Sequence, residues 1–315
     1  MGFYSKEVML YVAFEFLALC AIFYYRQSIF NFVHKFFGIH ISTSNKTFSL
    51  KKKYIEPKTK VLEKNVEMIK IVNECPSIQE KTGNRYLLPS PLVFNGHIQT
   101  LYNSYLTVKK YPVEGVSYGR ELMNDEDGGT FSIDWCPPLE KTPLDNRPIV
   151  FVVPGISGGS HEYYVKTCVQ TLVSPPYSYR CVVINYRGCS RTPLTTRLMN
   201  HGGFTADVRH VIQYVMGKAS GSLLFGVGFS IGANILLKYV GEEGENCPLT
   251  AVSSISNPID LGAADDRSEE SGFMNKYIYT PYLTKALVNV VDKNKHILST
   301  GSTTERYNRI KKVME

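Results

Sequence analysis

Leu223-Leu224-Phe225-Gly226-Val227-Gly228-Phe229-Ser230-Ile231-Gly232-Ala233-Asn234-Ile235-Leu236-Leu237-Lys238-Tyr239 decides the fold. Leu223 to Val227 is a short apolar run of the length and composition of a buried strand. Ile231 to Tyr239 has the composition and spacing of a helix. Between them lies Gly228-Phe229-Ser230-Ile231-Gly232. A serine at such a strand-to-helix turn sits on a sharp, strained bend with its hydroxyl exposed. Gly228 and Gly232 lack Cβ, so strand and helix can approach closely around it. The helix N-terminus aims N–H groups at any oxyanion forming there. Ser230 is therefore the candidate nucleophile for an acyl carbonyl, and the Ile231 N–H one oxyanion donor. The plainer alternative is a serine that merely caps a helix.

Working outward, Pro148 to Val153, Cys181 to Ile184 and Ala251 to Ile255 are further continuous apolar runs. Strands apolar on both faces suit a parallel sheet covered by helices. Helical segments are expected at about Tyr163 to Leu172 and Phe204 to Met216. The β-α-β-α-β order predicts an α/β fold, mostly parallel, with right-handed crossovers. Gly129 to Trp135 alternates after the Asp127-Gly128-Gly129 turn and reads as an antiparallel edge strand. The loop after Val153 is Pro154-Gly155-Ile156-Ser157-Gly158-Gly159-Ser160, and Ile156 is the candidate second oxyanion donor. It lacks the GxxxxGK[ST] pattern of a phosphate-cradling loop.

The 315 residues carry a net charge of +7, with 43% hydrophobic and 20% charged residues. That allows one large domain with an appendage. The basic bias fits an ordinary surface or attraction to an anionic membrane face; no motif points to nucleic acid. Seven cysteines, an odd number without a CxxC pair, argue against a disulfide framework and a cysteine zinc site. Reduced thiols facing the cytosol are the default. No cofactor or metal is expected; His201, His210 and the scattered acids lack metal-ligand spacing.

Val8 to Tyr25 reads VMLYVAFEFLALCAIFYY, with Glu15 its only charge. At about 1.5 Å per residue it reaches roughly 27 Å, close to the hydrocarbon thickness of a bilayer. A membrane anchor is the favoured reading, beside a cleaved signal peptide and a buried or surface-lying helix. The expected organisation is an anchor and interfacial segment over 1–40, a Lys-rich linker over 41–83, and an α/β domain over 84–315. Within that domain 261–315 reads as a helical, cap-like region. Flanking charges favour a single pass with the domain on the cytoplasmic side.

Five stretches occur in order: Phe94-Asn95-Gly96-His97-Ile98-Gln99-Thr100, the Pro154–Ser160 loop, Asn185-Tyr186-Arg187-Gly188-Cys189-Ser190, Gly228 to Asn234, and Ser256-Asn257-Pro258-Ile259-Asp260-Leu261. Together they resemble the α/β-hydrolase family of the fungal medium-chain fatty-acid ethyl ester synthase/esterases. Mammalian membrane-anchored phospholipase-like hydrolases and bacterial short-chain esterases belong to it too. The resemblance covers roughly Leu88 to Asp260. It implies hydrolysis of acyl esters, acyl transfer from acyl-CoA to an alcohol, and monoacylglycerol lipase activity. It implies a membrane or lipid-droplet surface as the other partner, through residues 8–25. Ser230 is carried over as nucleophile. Pro154 stands where the family's oxyanion loop has histidine.

The family's acid and histidine follow late strands, in Asp-Asp-Pro and Gly-Gly-His patterns, and neither pattern is present. The expectation is a C-terminally truncated chain, weakly active or inactive, with an unpaired sheet edge after the Ala251 to Ile255 strand. His296 is the only histidine after Ser230 and reads as a surface residue. His97 precedes the serine and reads as structural or pocket-lining, and His161 as the start of a helix. Arg187, Gly188 and Cys189 are expected to shape their loop. Asp260 supports the loop it sits in; Asp265, Asp266 and Asp292 are the other acids. The competing classes are a catalytically dead hydrolase fold with a binding role and an unrelated α/β binding protein.

Overall fold

The computed structural model describes residues 47–48, 66–67, 96–109, 113–264, 272–299, 308 and 312. The expected membrane segment, Val8 to Tyr25, lies outside them. Among the described residues no helix is long and apolar enough to cross a membrane. The chain forms two compact units, Met1–Tyr105 and Leu106–Glu315. In the first, β1 (Thr47–Phe48) pairs antiparallel with β2 (Val66–Glu67). Helix α1 spans Gly96–Lys109 and carries His97.

The second unit is built on a six-stranded sheet of order β3-β4-β6-β5-β7-β8. Its strands are β3 (Gly119–Asn124), β4 (Thr130–Cys136), β5 (Ile149–Val153), β6 (Arg180–Asn185), β7 (Leu224–Phe229) and β8 (Ala251–Ile255). β6, β5, β7 and β8 pair in parallel. Helices α2 (Tyr163–Val173), α3 (Ala206–Lys218) and α4 (Ile231–Glu243) connect them, as the alternation of runs predicts.

Successive residues of the central strands serve opposite cores, because side chains alternate across a sheet. Ile149, Phe151 and Val153 join Val208, Val211 and Ile212 of α3 and Ile235 and Leu236 of α4. Val150 and Val152 join Cys181, Val183 and, from α2, Val165 and Val169. The helices thus cover both faces, as a parallel sheet requires.

One expectation is corrected. β4 is antiparallel, but it is not the edge strand. It pairs with β3 on one side and β6 on the other, and all seven of its residues are buried. Its alternating polar residues do not face water: Thr130, Ser132 and Asp134 are buried on internal partners. The edge is β3, hydrogen-bonded across the Asp125–Gly128 turn.

At the opposite edge β8 is mostly exposed, with Ile255 at 40%. Among the described residues no strand pairs with its outer side. Beyond it a helical turn occupies 261–264, then a π-helical turn at Asn275–Tyr279 leads into α5 (Thr280–Lys293) and α6 (Lys295–Leu298). Among the described residues, Cys136, Cys168, Cys181 and Cys189 are in no disulfide.

Candidate active site

Strand β7 ends at Phe229 and helix α4 begins at Ile231, leaving Ser230 alone on the bend with φ 52° and ψ −122°. This is a left-handed conformation that a residue with a side chain adopts only when its surroundings enforce it. Here the enforcement is packing. A Cβ on Gly228 would stand 2.5 Å from Ala233 Cα, and one on Gly232 would stand 2.1 Å from the Pro154 carbonyl oxygen. Both positions are filled by backbone, so only glycine lets strand, helix and neighbouring loop meet. Ser230 itself is exposed.

Residues 148–281 match the alpha/beta hydrolase fold family. The strand, strained serine and helix lie within that match. This part of the chain has the α/β-hydrolase fold. The chain is 35% identical over 213 residues to the embryogenesis-associated protein EMB8 of Picea glauca, covering 65% of this chain and 44% of that protein. It is 28% identical over 261 residues to medium-chain fatty acid ethyl ester synthase/esterase 2 of Saccharomyces cerevisiae, covering 68% of this chain and 56% of the yeast protein. The chain spans about half the length of these curated relatives. Among solved structures, the Pyrococcus furiosus esterase Pf2001 superposes with a TM-score of 0.41 at 14% identity, covering 60% of this chain and 82% of that one.

The loop after β5 lies against the elbow. A Cβ on Gly155 would come within 3.5 Å of the Ser230 Cβ. Two tyrosines hold the loop: the Tyr186 hydroxyl donates to the Pro154 carbonyl at 2.6 Å, and the Gly155 N–H donates to the Tyr164 hydroxyl at 2.9 Å. Both phenols are pushed up by burial and stay protonated. The expected oxyanion residues, Ile156 and Ile231, wall one cavity of about 280 Å³. Among the described residues neither amide is used in a turn or loop hydrogen bond. The other walls are mainly apolar: Tyr186, Met199, Leu287, Val290 and Val291. Asn200 also lines it, and its buried side-chain nitrogen has no partner among the described residues.

The histidines fall elsewhere. His296 is exposed on α6. His161 precedes α2, in contact with the Ser190 hydroxyl and Glu162. His210 on α3 contacts Asp125 at 3.0 Å, and His201, at the cavity rim, accepts the Gly203 N–H. Among the described residues none hydrogen-bonds the Ser230 hydroxyl, and no His, Cys and acid group could hold a metal. Asp260 accepts the Ala263 N–H at 2.9 Å, supporting its own loop as expected. Asp265 and Asp266 lie outside the described residues. Burial pushes the Cys189 thiol up to about 11, so it is no reactive thiolate.

Two charge networks under the site escaped the sequence reading. Arg187, fully buried, donates to Asp207, Asp127 and Asp125. Its three carboxylates come from the β3–β4 turn and from α3, so this guanidinium ties the loop after β6 to both. Asp134, inside β4, accepts from Arg120, Asn185 and the Ser160 hydroxyl. The Asn185 oxygen in turn takes the Ser160 N–H at 2.9 Å. That fixes the end of the Pro154–Ser160 loop. The one signal in the sequence was an acidic pair flanking a turn, Asp125 and Asp127, which carries no address for its arginine.

Proposed function

We propose that this chain is a serine carboxylic-ester hydrolase acting on acyl lipids, with Ser230 as its nucleophile. The observation that carries the reading is the strained serine between β7 and α4, beside the Gly155 loop. The resemblance to a yeast medium-chain ester synthase/esterase supports an acyl ester as substrate. Ser230 Oγ attacks the ester carbonyl carbon, and its proton passes to a base. The oxyanion takes hydrogen bonds from the Ile231 and Ile156 amides. The alcohol leaves with a proton, and water releases the acid from the acyl-enzyme. An alcohol replacing that water yields a new ester, which makes acyl transfer from acyl-CoA the same chemistry. The acyl chain occupies the cavity beside Ile231, whose apolar walls suit a medium-length chain. Residues 8–25 would hold the enzyme at a membrane or lipid-droplet face, in keeping with their composition and the net charge of +7.

A second reading is a binding protein that uses the same cavity without turnover. It is favoured by the Ser230 hydroxyl having no hydrogen-bonded base among the described residues.

Hydrolysis of p-nitrophenyl octanoate by the unmodified chain and by Ser230→Ala, with and without added imidazole, separates the two. The expected result is a Ser230-dependent rate that external imidazole raises, with Ser230→Ala lowering it roughly tenfold or more. Identical rates for both proteins at every imidazole concentration would favour the binding reading.

A further inference from the structure

A second, larger cleft adjoins the apolar cavity and has the opposite character. Its volume is about 970 Å³, and it shares three walls with the cavity: Ser157, Cys189 and Val290. Arg120, Lys166, Arg191 and Lys293 line it, together with His161, against a single carboxylate, Asp134. That carboxylate is spent, since Arg120, Asn185 and Ser160 all donate to it. Lys166, Arg191 and Lys293 make no ion pair among the described residues. Three different segments thus direct uncompensated positive charge into one concave space, where low-dielectric walls concentrate the field.

Two further observations point the same way. The Tyr118 hydroxyl, in the cleft wall, is buried without a hydrogen-bond partner among the described residues. A buried phenolic O–H without an acceptor costs free energy that an acceptor oxygen would recover. The loop carrying Arg191 is also held in a costly conformation, with positive φ at Ser190 (49°) and Arg191 (62°). Strain of this kind persists where the surrounding structure fixes a side chain in place, and here the fixed side chain is a cation.

We propose that this cleft is an anion subsite for the phosphate group of an acyl amphiphile whose chain lies in the adjoining apolar cavity. The inference rests on the acyl-cavity assignment above and deepens it. The substrate class becomes an acyl ester or thioester with a phosphorylated head. Arginine and lysine meet phosphate oxygens through charge-assisted hydrogen bonds, which are shorter and stronger than neutral ones. Two sources share that chemistry, a phospholipid head and the phosphates of an acyl carrier such as coenzyme A.

The test measures binding of dodecyl phosphate, which has no ester to cleave, and of dodecanol to the full chain by titration calorimetry. The same titrations are run on Lys166→Gln/Arg191→Gln/Lys293→Gln. Dodecyl phosphate should bind about tenfold or more tightly than dodecanol, and the triple variant should lose that preference. A circular dichroism melt shows that the variant is folded. Competition by glycerol 3-phosphate or by coenzyme A then names the source, and displacement by either supports the subsite. Equal binding of the two amphiphiles, or a preference that survives in the folded triple variant, would overturn it. The nucleophile reading is tracked separately by fluorophosphonate labelling of the unmodified chain. Charge-selective binding without labelling keeps the subsite and removes the nucleophile, and labelling without charge selectivity does the reverse.

Discussion

Arg187→Met destabilises the protein by about 3–5 kcal/mol, the usual loss when one partner of a buried ion network is removed. The side chain is fully enclosed, and Asp207 beneath it is almost as buried. Methionine fills much of the volume but leaves a carboxylate with no guanidinium to neutralise it. Burial already raises the Asp207 carboxyl, and Arg187 is what pulls it back. Without Arg187 its folded-state pKa climbs further above the unfolded value. The folded variant then binds more protons than the unfolded chain. Its stability is therefore best below the unfolded carboxylate range and falls as pH rises through the folded pKa. The deficit relative to the unmodified protein is smallest near pH 4 and grows toward neutrality. Urea unfolding at pH 5 and at pH 7 measures both features. Arg187→Met/Asp207→Leu, which removes the stranded charge, should lose less than Arg187→Met alone. A loss under about 1 kcal/mol in the single variant would mean that Arg187 is not the tie holding this loop.

Gly232→Ala has the other large effect, and it acts on the site more than on the fold. The new methyl group would stand 2.1 Å from the Pro154 carbonyl oxygen and 2.4 Å from that of Val153. Both are backbone atoms at the end of a buried strand, so helix α4 or the Gly155 loop must shift. Overpacking of this kind costs about 1–3 kcal/mol. The same shift would separate the Ile156 and Ile231 amides from the oxyanion position proposed above, and a displacement near 1 Å is worth roughly a hundredfold in rate. Gly241→Ala is the matched control. It lies on the same helix, nothing lies within 4 Å of its added Cβ, and it should be neutral or slightly stabilising. Thermal melts and Ser230-dependent ester hydrolysis, run on both variants, give the comparison. Equal behaviour of the two alanines would contradict the close packing at the elbow.

Both effects bear on what could be read from the chain alone. The sheet, its covering helices and the elbow are local patterns. Apolar runs such as Ile149 to Val153 and a serine between two glycines announce themselves within a few residues. The polar support does not. Asp134 looks like the outward residue of an alternating strand until β3 and β6 pair on its two sides and bring Arg120 and Asn185 to it. Arg187 meets Asp125 and Asp127 across some sixty residues of sequence, a separation that no local periodicity encodes. The apolar cavity depended on the same kind of distance. Leu287, Val290 and Val291 on α5 face Ile156 and Ile231 only in three dimensions. The basic cleft was equally silent, since its cations come one or two at a time from β3, α2, the loop after β6 and α5.

The central assignment is that Ser230 is the residue that bonds to an acyl carbon. Incubation with a fluorophosphonate followed by peptide mass mapping tests it most directly. The account predicts one adduct, on the peptide carrying Ser230, absent from Ser230→Ala and slower to form in Gly232→Ala. An unmodified Ser230 peptide, or an adduct that forms equally in the alanine variant, would contradict it.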